Sequence, residues 1–322
     1  MQKIYKLLEE IGYFDNSSSV KIENFLREED GSSYDEVYKV FYCDEKSKEE
    51  RIYVLKKAKE NEAEVYYRYF DSHGVLKEIF KDKSLSKLHL NNVAPQIYAA
   101  VKLNDEIYLL EEFIYGENLC KCNKDKLKLS LDALISMQNA TWRDKGKEAN
   151  EYELAAQKQN LIRVKKRRNY LRNEVLESAY DKFLKVYEEI PCALCHDDLL
   201  LFNIVVCENE NRAVIIDWEN GAVLPYALSF ARLIAHGEQN SDWLFFMRDE
   251  DKEFAINYYY ENFLSSKNIS KEEWQKTLDC FLLYEYCEWV AVGNRYNETD
   301  GEYYKKYIVK AISQAKKING LN

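Results

Sequence analysis

The chain has 322 residues, enough at roughly 150 residues per domain for about two domains or lobes and a sizeable buried core. Hydrophobic residues make up 46% and charged residues 32%, which excludes a disordered chain, and 10 Gly with 3 Pro exclude collagen-like and low-complexity classes. Against 46 Lys and Arg stand 56 Asp and Glu, and the resulting net charge of −10 argues against a nucleic-acid partner.

Ile4, Leu7, Leu8 and Ile11 follow helical spacing at the start of the chain. That stretch lacks the apolar run of a signal peptide, and no segment reads as a membrane span. The expected compartment is the cytoplasm, with no membrane partner, and the eight Cys are expected as reduced thiols. Tyr38, Val40 and Tyr42 alternate on one face of a strand over 35–43, and Ile52, Val54 and Lys56 on one face of a strand over 50–57, joined through the charged connection Asp44 to Glu50. Glu62, Val65, Tyr66 and Tyr69 share a helix face. Pro95–Leu103 and Glu106–Ile114 read as two strands around the turn Asn104-Asp105. From Gly116 the texture changes: 124–142 and 149–188 read as helices, 203–207 and 213–217 as short β segments around the turn Glu208–Arg212, and the chain beyond 226 as mostly helical. The expected division is therefore a small β-rich lobe over 1–115 and a larger, mainly helical lobe over 116–322 that holds one hairpin.

Polar chemistry concentrates at that hairpin, in Cys195-His196-Asp197-Asp198-Leu199-Leu200-Leu201-Phe202-Asn203 and in Ile215-Ile216-Asp217-Trp218-Glu219. Phosphoryl transfer needs a carboxylate to orient the attacking hydroxyl and oxygen ligands to hold Mg²⁺ against the nucleotide phosphates. Asp198 and Asn203 share one loop, and Asp217 ends the next strand. The order fits the kinase arrangement H-x-D-L-x-x-x-N followed by an Asp at a strand end, with Asp197 at the position of Arg and Asp-Trp-Glu in place of Asp-Phe-Gly.

With both motifs at ordinary spacing, the chain resembles the aminoglycoside phosphotransferase and choline kinase family from about residue 27 to about 236. These are small-molecule kinases of protein-kinase-like fold. The resemblance implies an α+β, two-lobed architecture, ATP or GTP as phosphate donor, Mg²⁺, and a small-molecule hydroxyl acceptor. It implies Asp198 as the catalytic base, Asn203 and Asp217 as Mg²⁺ ligands, and His196 as a structural member of the loop. Tyr53-Val54-Leu55-Lys56 takes the place of the V-A-I-K strand, so Lys56 would meet the α/β-phosphates and Val54 the base. Lys57, on the opposite face, is the competing lysine. Glu62 would pair with Lys56, with Glu64 as the alternative. Backbone N–H groups of Ser32 and Ser33, in a loop with one glycine, would cradle phosphate. Backbone groups of Glu112, Phe113 and Ile114 would meet the adenine edge. Two departures stand out: Ser229 replaces an Asp that the family carries in a Tyr-Asp-Leu-Ala-like run, which puts the anchoring of the loop in doubt, and Gln138 stands where many relatives have His.

Acceptor-binding candidates beside Asp198 are Asp197, Glu219, Glu285, Glu288 and Trp289, with Trp218. Acid and aromatic groups together suit a cationic acceptor, although Tyr286 and Trp289 read equally as core. The basic run Arg163, Lys165, Lys166, Arg167, Arg168, Arg172 reads first as a solvated helix face, then as a contact for an anionic ligand. Cys192-Ala-Leu-Cys195-His196 matches a haem-attachment pattern, but His196 already belongs to the kinase loop, so buried thiols are preferred. The leading expectation is an aminoglycoside-phosphotransferase-like kinase. A choline/ethanolamine-type kinase and a nucleotide-binding pseudokinase or scaffold are the alternatives.

Overall fold

A computed structural model of the chain describes residues 2–14, 19–26, 33–43, 48–81, 88–146 and 150–321. Ser32 and most of the Asp44 to Glu50 connection lie outside the described residues. The chain divides into two compact units, Met1–Glu117 with Val205–Gly221, and Asn118–Ile204 with Ala222–Asn322.

The first unit is built on β1 (Ser19–Leu26), β2 (Ser33–Cys43), β3 (Glu50–Ala58), β4 (Ile97–Leu103) and β5 (Glu106–Glu112), an antiparallel sheet in the order β1-β2-β3-β5-β4. The amphipathic start of the chain is α1 (Gln2–Ile11), whose Ile4, Leu7 and Leu8 pack on Ile22, Val40, Tyr53, Leu55, Tyr108 and Leu110. Because side chains alternate along a strand, Tyr53 and Leu55 turn to α1 while Val54 and Lys56 turn to the other face. On that face Val54 is the register partner of Glu111 and Lys56 of Leu109. Asn104 and Asp105 both have positive φ, 48° and 64°, as a two-residue hairpin turn that matches strand twist requires.

After β3 comes α2 (Glu60–Val65), but the expected helix does not continue regularly through Tyr69. It loosens into a π-helical turn over Tyr66–Phe70, closed by Asp71 N–H donating to Tyr66 O at 2.8 Å, and every side chain of that turn is buried. The short strands β8 (Ile204–Cys207) and β9 (Arg212–Ile215) form the expected hairpin, flanked by β6 (Glu117–Asn118) in the order β6-β8-β9. The first unit runs to Glu117, close to the expected division at 115/116, but it also takes in a later segment. Residues 205–221 count with the first unit, because Ile215 N–H donates to Val93 O at 2.7 Å, Arg212 pairs with Glu112 at 2.6 Å, and Trp218 packs on Phe70 with ring centroids 4.7 Å apart.

The second unit holds α3 (Lys124–Thr141), α4 (Glu151–Arg168), α5 (Glu174–Glu189), α6 (Ala227–Ala235), α7 (Asp249–Asn262), α8 (Lys271–Tyr296) and α9 (Glu302–Asn319), with β7 (Cys192–His196) paired to β10 (Gly221–Pro225). The helical stretch expected over 149–188 is built as two helices. Arg172 has φ 52°, and the Asn173 side chain accepts from Val175 and Leu176 N–H to start α5. The 26-residue α8 is started by a capping box, Ser270 with Glu273, and buries Trp274, Phe281 and Tyr284 among Phe183, Phe230 and Tyr259. All eight cysteines are free thiols, buried or half-buried. Among the described residues no helix is long and apolar enough to cross a membrane.

Candidate functional site

In the first unit Lys56 is the centre of a buried charge cluster. Its Nζ lies 2.5 Å from Glu62 Oε1 and 3.1 Å from Glu111 Oε1, with 13% of the side chain exposed. Burial pulls the ammonium's pKa down, but Glu111 and Glu62 outweigh it and hold Lys56 well above its ordinary value. The competing residues have other partners. Lys57 pairs with Glu106 at 2.6 Å and Glu36 at 3.0 Å, and Glu64 pairs with Arg68. Glu111 was not foreseen. Burial raises its carboxyl to about 7, against the opposing pull of Lys56. The Tyr66 ring lies 5.8 Å from Lys56 Nζ, and its buried hydroxyl has no hydrogen-bond partner among the described residues.

Val54 is half-buried next to Lys56, and β5 ends at Glu112, leaving Phe113 and Ile114 beyond the strand. Glu112 N–H donates to Gln96 O at 2.8 Å, and the Phe113 ring lies 4.9 Å from Tyr115. Ser33 opens β2. Asp217 follows β9 with left-handed backbone, φ 64° and ψ 62°, and leads into a 3₁₀ turn over Trp218–Asn220. Trp218 is buried and donates to Ile215 O at 2.8 Å. Glu219, expected beside the acceptor, belongs to this unit and pairs with Lys59 at 2.5 Å, while Asn61 donates to its carbonyl at 2.7 Å.

In the second unit Asp198 sits on the tight loop after β7. Leu200 N–H donates to Asp198 O at 2.7 Å, and Asn203 Nδ2 donates to the same oxygen at 2.8 Å, so Asn203 closes the loop on the backbone of Asp198. Ser229 anchors the strand that delivers the loop. Its hydroxyl accepts from His196 N–H at 2.9 Å and donates to His196 O at 3.3 Å, so the residue that replaces the family's Asp still ties α6 to β7. Gln138 is buried, donating to Tyr226 O at 2.8 Å and accepting from the Tyr259 hydroxyl.

The acids of the second unit proposed for the acceptor are paired with arginines. Asp197 pairs with Arg163 and accepts from Asn160 at 3.0 Å, and burial pushes its carboxyl up to about 6. Glu285 and Glu288 both meet Arg232, and Arg167 lies 3.5 Å from Glu288. Burial raises the Glu288 carboxyl, but Arg167 and Arg232 outweigh it and hold it near about 2. Of the basic run, Arg167 turns into this cluster and covers the Tyr284 ring at 4.1 Å, while Arg163 reaches Asp197 from a half-exposed position. Trp289 stands apart, stacked on Tyr303 with centroids 4.7 Å apart.

Among the described residues no group of three or more His, Cys, Asp or Glu side chains is placed to hold a metal. A kinase-type Mg²⁺ does not need one, because one or two protein oxygens, phosphates and water complete its octahedron. Asp217 offers a carboxylate. Asn203 spends its amide nitrogen on Asp198 O and keeps its side-chain carbonyl oxygen. Both are hard oxygen donors, the chemistry Mg²⁺ selects.

No family model and no curated protein matches the chain. Solved structures do. An ethanolamine kinase of Plasmodium vivax superposes with a TM-score of 0.56 at 14% identity, covering 99% of this chain and 91% of the other. An aminoglycoside phosphotransferase of Alicyclobacillus acidocaldarius gives 0.52 at 14% identity, over 96% and 92%. A choline/ethanolamine kinase family protein of Mesorhizobium loti gives 0.51 at 12% identity, over 98% and 94%. The fold is that of the small-molecule kinases. The family that the H-x-D and I-D-W-E motifs resemble is the one whose members share this fold. Within the small-molecule kinase fold, sequence reasoning missed Glu111 and Arg232, which carry no motif. A charge inside an apolar run, Leu109-Leu110-Glu111 and Phe230-Ala231-Arg232-Leu233-Ile234, is the signal that could have found them.

Proposed function

We propose that this protein is an ATP-dependent phosphotransferase of two-lobed, kinase-like architecture that moves the γ-phosphate to a hydroxyl of a small cationic molecule. The observation that carries this is the Lys56–Glu62 pair at 2.5 Å, in a fold shared with small-molecule kinases. In this reading Lys56 neutralises phosphate charge, Val54 lies against the base, and backbone groups at Ser32, Ser33 and Glu112 to Ile114 hold the nucleotide. Asn203 and Asp217 hold Mg²⁺, which when bound supplies charge stabilisation at the phosphates. The acceptor oxygen attacks the γ-phosphorus, the bond to the ADP oxygen breaks, and the hydroxyl proton passes to Asp198. Of the acids around Arg232, Asp198 and Glu288, with 32% and 29% of their side chains exposed, reach solvent to meet a cationic acceptor.

The test is Asp198→Asn, with ADP release from Mg-ATP measured across aminoglycosides, choline, ethanolamine, homoserine and sugars, and ATP binding measured separately. Loss of a positioned base reduces turnover by about 10²–10⁴-fold. ATP affinity should be retained; near-normal turnover would refute the role. If only neutral sugars were phosphorylated, the cationic class would fail and phosphotransfer would stand. A second reading, nucleotide binding without turnover, is favoured by Glu111, which gives Lys56 a second carboxylate that competes with phosphate. ATP binding without ADP release for any acceptor would support that reading.

A further inference from the structure

Arg232 is the sole ionisable side chain in α6, Ala-Leu-Ser-Phe-Ala-Arg-Leu-Ile-Ala. Only 13% of it is exposed. A guanidinium in such a place is costly to bury unless it is paired, and Arg232 is paired three times. Nη2 and Nε donate to Asp198 Oδ1 at 2.7 and 3.2 Å, and Nη1 donates to Glu285 Oε2 at 2.8 Å and to Glu288 Oε2. The guanidinium is itself held in place. Glu285 is fully buried and lies 3.3 Å from His236 Nε2, whose Nδ1 is 2.6 Å from the Tyr307 hydroxyl, so the network runs on through α8 into α9.

The Asp198 contact has a particular form. Both nitrogens of the fork converge on Oδ1, and no hydrogen bond to Oδ2 is made among the described residues. Asn203 meanwhile fixes the Asp198 main chain. We propose that Arg232 is the positioning residue of the base: it fixes the rotation of the Asp198 carboxylate through Oδ1 and so presents Oδ2 to the acceptor hydroxyl. This rests on the phosphotransfer reading. A planar fork holds a carboxylate's orientation, whereas an ammonium does not. Buried Glu285 then acts less as an acceptor ligand than as the anchor that keeps the fork aimed, and part-exposed Glu288 steadies the fork from the solvent side.

The experiment uses the full chain and ADP release from Mg-ATP with ethanolamine, choline, hygromycin B and homoserine. Arg232→Lys keeps the charge and loses the fork. Arg232→Met with Glu285→Gln keeps the net charge of the cluster, so it carries the same readout if the lysine variant does not fold, and thermal melts monitor both. The expected result is a kcat lowered about 10–100-fold, since misplacement of a reacting group costs on the order of 10²-fold, with the KM for ATP unchanged. In an Asp198→Asn background, Arg232→Lys should cost nothing further, as expected of residues acting as a unit. A folded variant with kcat within about twofold of wild type, or a loss that adds in full to that of Asp198→Asn, overturns the role. Wild-type protein that releases ADP with none of these acceptors and with no neutral sugar overturns the phosphotransfer reading instead, and the positioning role falls with it.

Discussion

Glu111 is an acid on a central strand, facing Lys56 from β3, Glu62 from α2, Tyr66 from the π turn and Asp217 after β9. With its carboxyl raised to about 7, the folded protein keeps a proton that the unfolded chain has already lost above about pH 4.3. The folded state thus binds the more protons, and stability falls as pH rises. The favourable contribution is complete below about pH 4.3 and is lost as pH passes 7, a change on the order of 3 kcal/mol. Lys56 stays charged throughout, its pKa being held well above the ordinary value. Glu111→Gln should therefore flatten the stability profile between pH 5 and pH 8, measured by urea unfolding at each pH. Parallel profiles for the two proteins would exclude the effect. Asp198, Lys56 and Glu62 are named through the resemblance of their surroundings to kinase motifs, with Lys57 and Glu64 as competitors until the Lys56–Glu62 pair is seen. Glu111 and Arg232 are not, because their meaning lies in neighbours distant in sequence.

Elements were readable where one face is buried and the other is not. Alternation of Tyr38, Val40 and Tyr42 gives β2, and the Asn104-Asp105 turn gives the β4–β5 hairpin. In β1, by contrast, only Ile22 is buried, so no alternation marks it, while β10 is buried along its whole length and shows no alternation either. The π turn is invisible for a related reason. When every side chain of Tyr66–Phe70 is buried, periodicity no longer distinguishes one helical winding from another. The link from β5 into β6 passes β8 at a close approach that only glycine permits. A Cβ on Gly116 would lie 2.4 Å from Val206 O and 2.9 Å from Val206 C, both backbone atoms of β8 that cannot swing aside. Gly116→Ala should destabilise the protein by about 1–3 kcal/mol, the usual cost of overpacking, seen as a lower midpoint in thermal or urea unfolding. An unchanged midpoint would show that β8 yields freely.

At the scale of the whole chain, the mainly β start and mainly helical remainder were evident from the change in texture at Gly116, but the return of 205–221 to the first unit was not. Pairings such as Ile215 with Val93 leave no local trace. Under the proposed function, a ligand that binds only the folded state stabilises it by about 2.7 kcal/mol at 100 times its Kd. Mg²⁺ with AMP-PNP should raise the melting temperature of the wild-type chain by several degrees, and Lys56→Met should abolish most of that shift. An undiminished shift in the variant would remove Lys56 from nucleotide binding.

The same return of the chain bears on how the protein is made. The first unit cannot be complete when Glu117 leaves the ribosome, because Trp218, Ile215 and Arg212, the partners of Phe70, Val93 and Glu112, do not yet exist. They follow roughly 100 residues later, a wait on the order of 5–20 s at about 5–20 residues per second. For that interval Phe70 has Tyr66 and Tyr69 beside it but not the indole of Trp218, and the unfinished unit is open to chaperones and proteases.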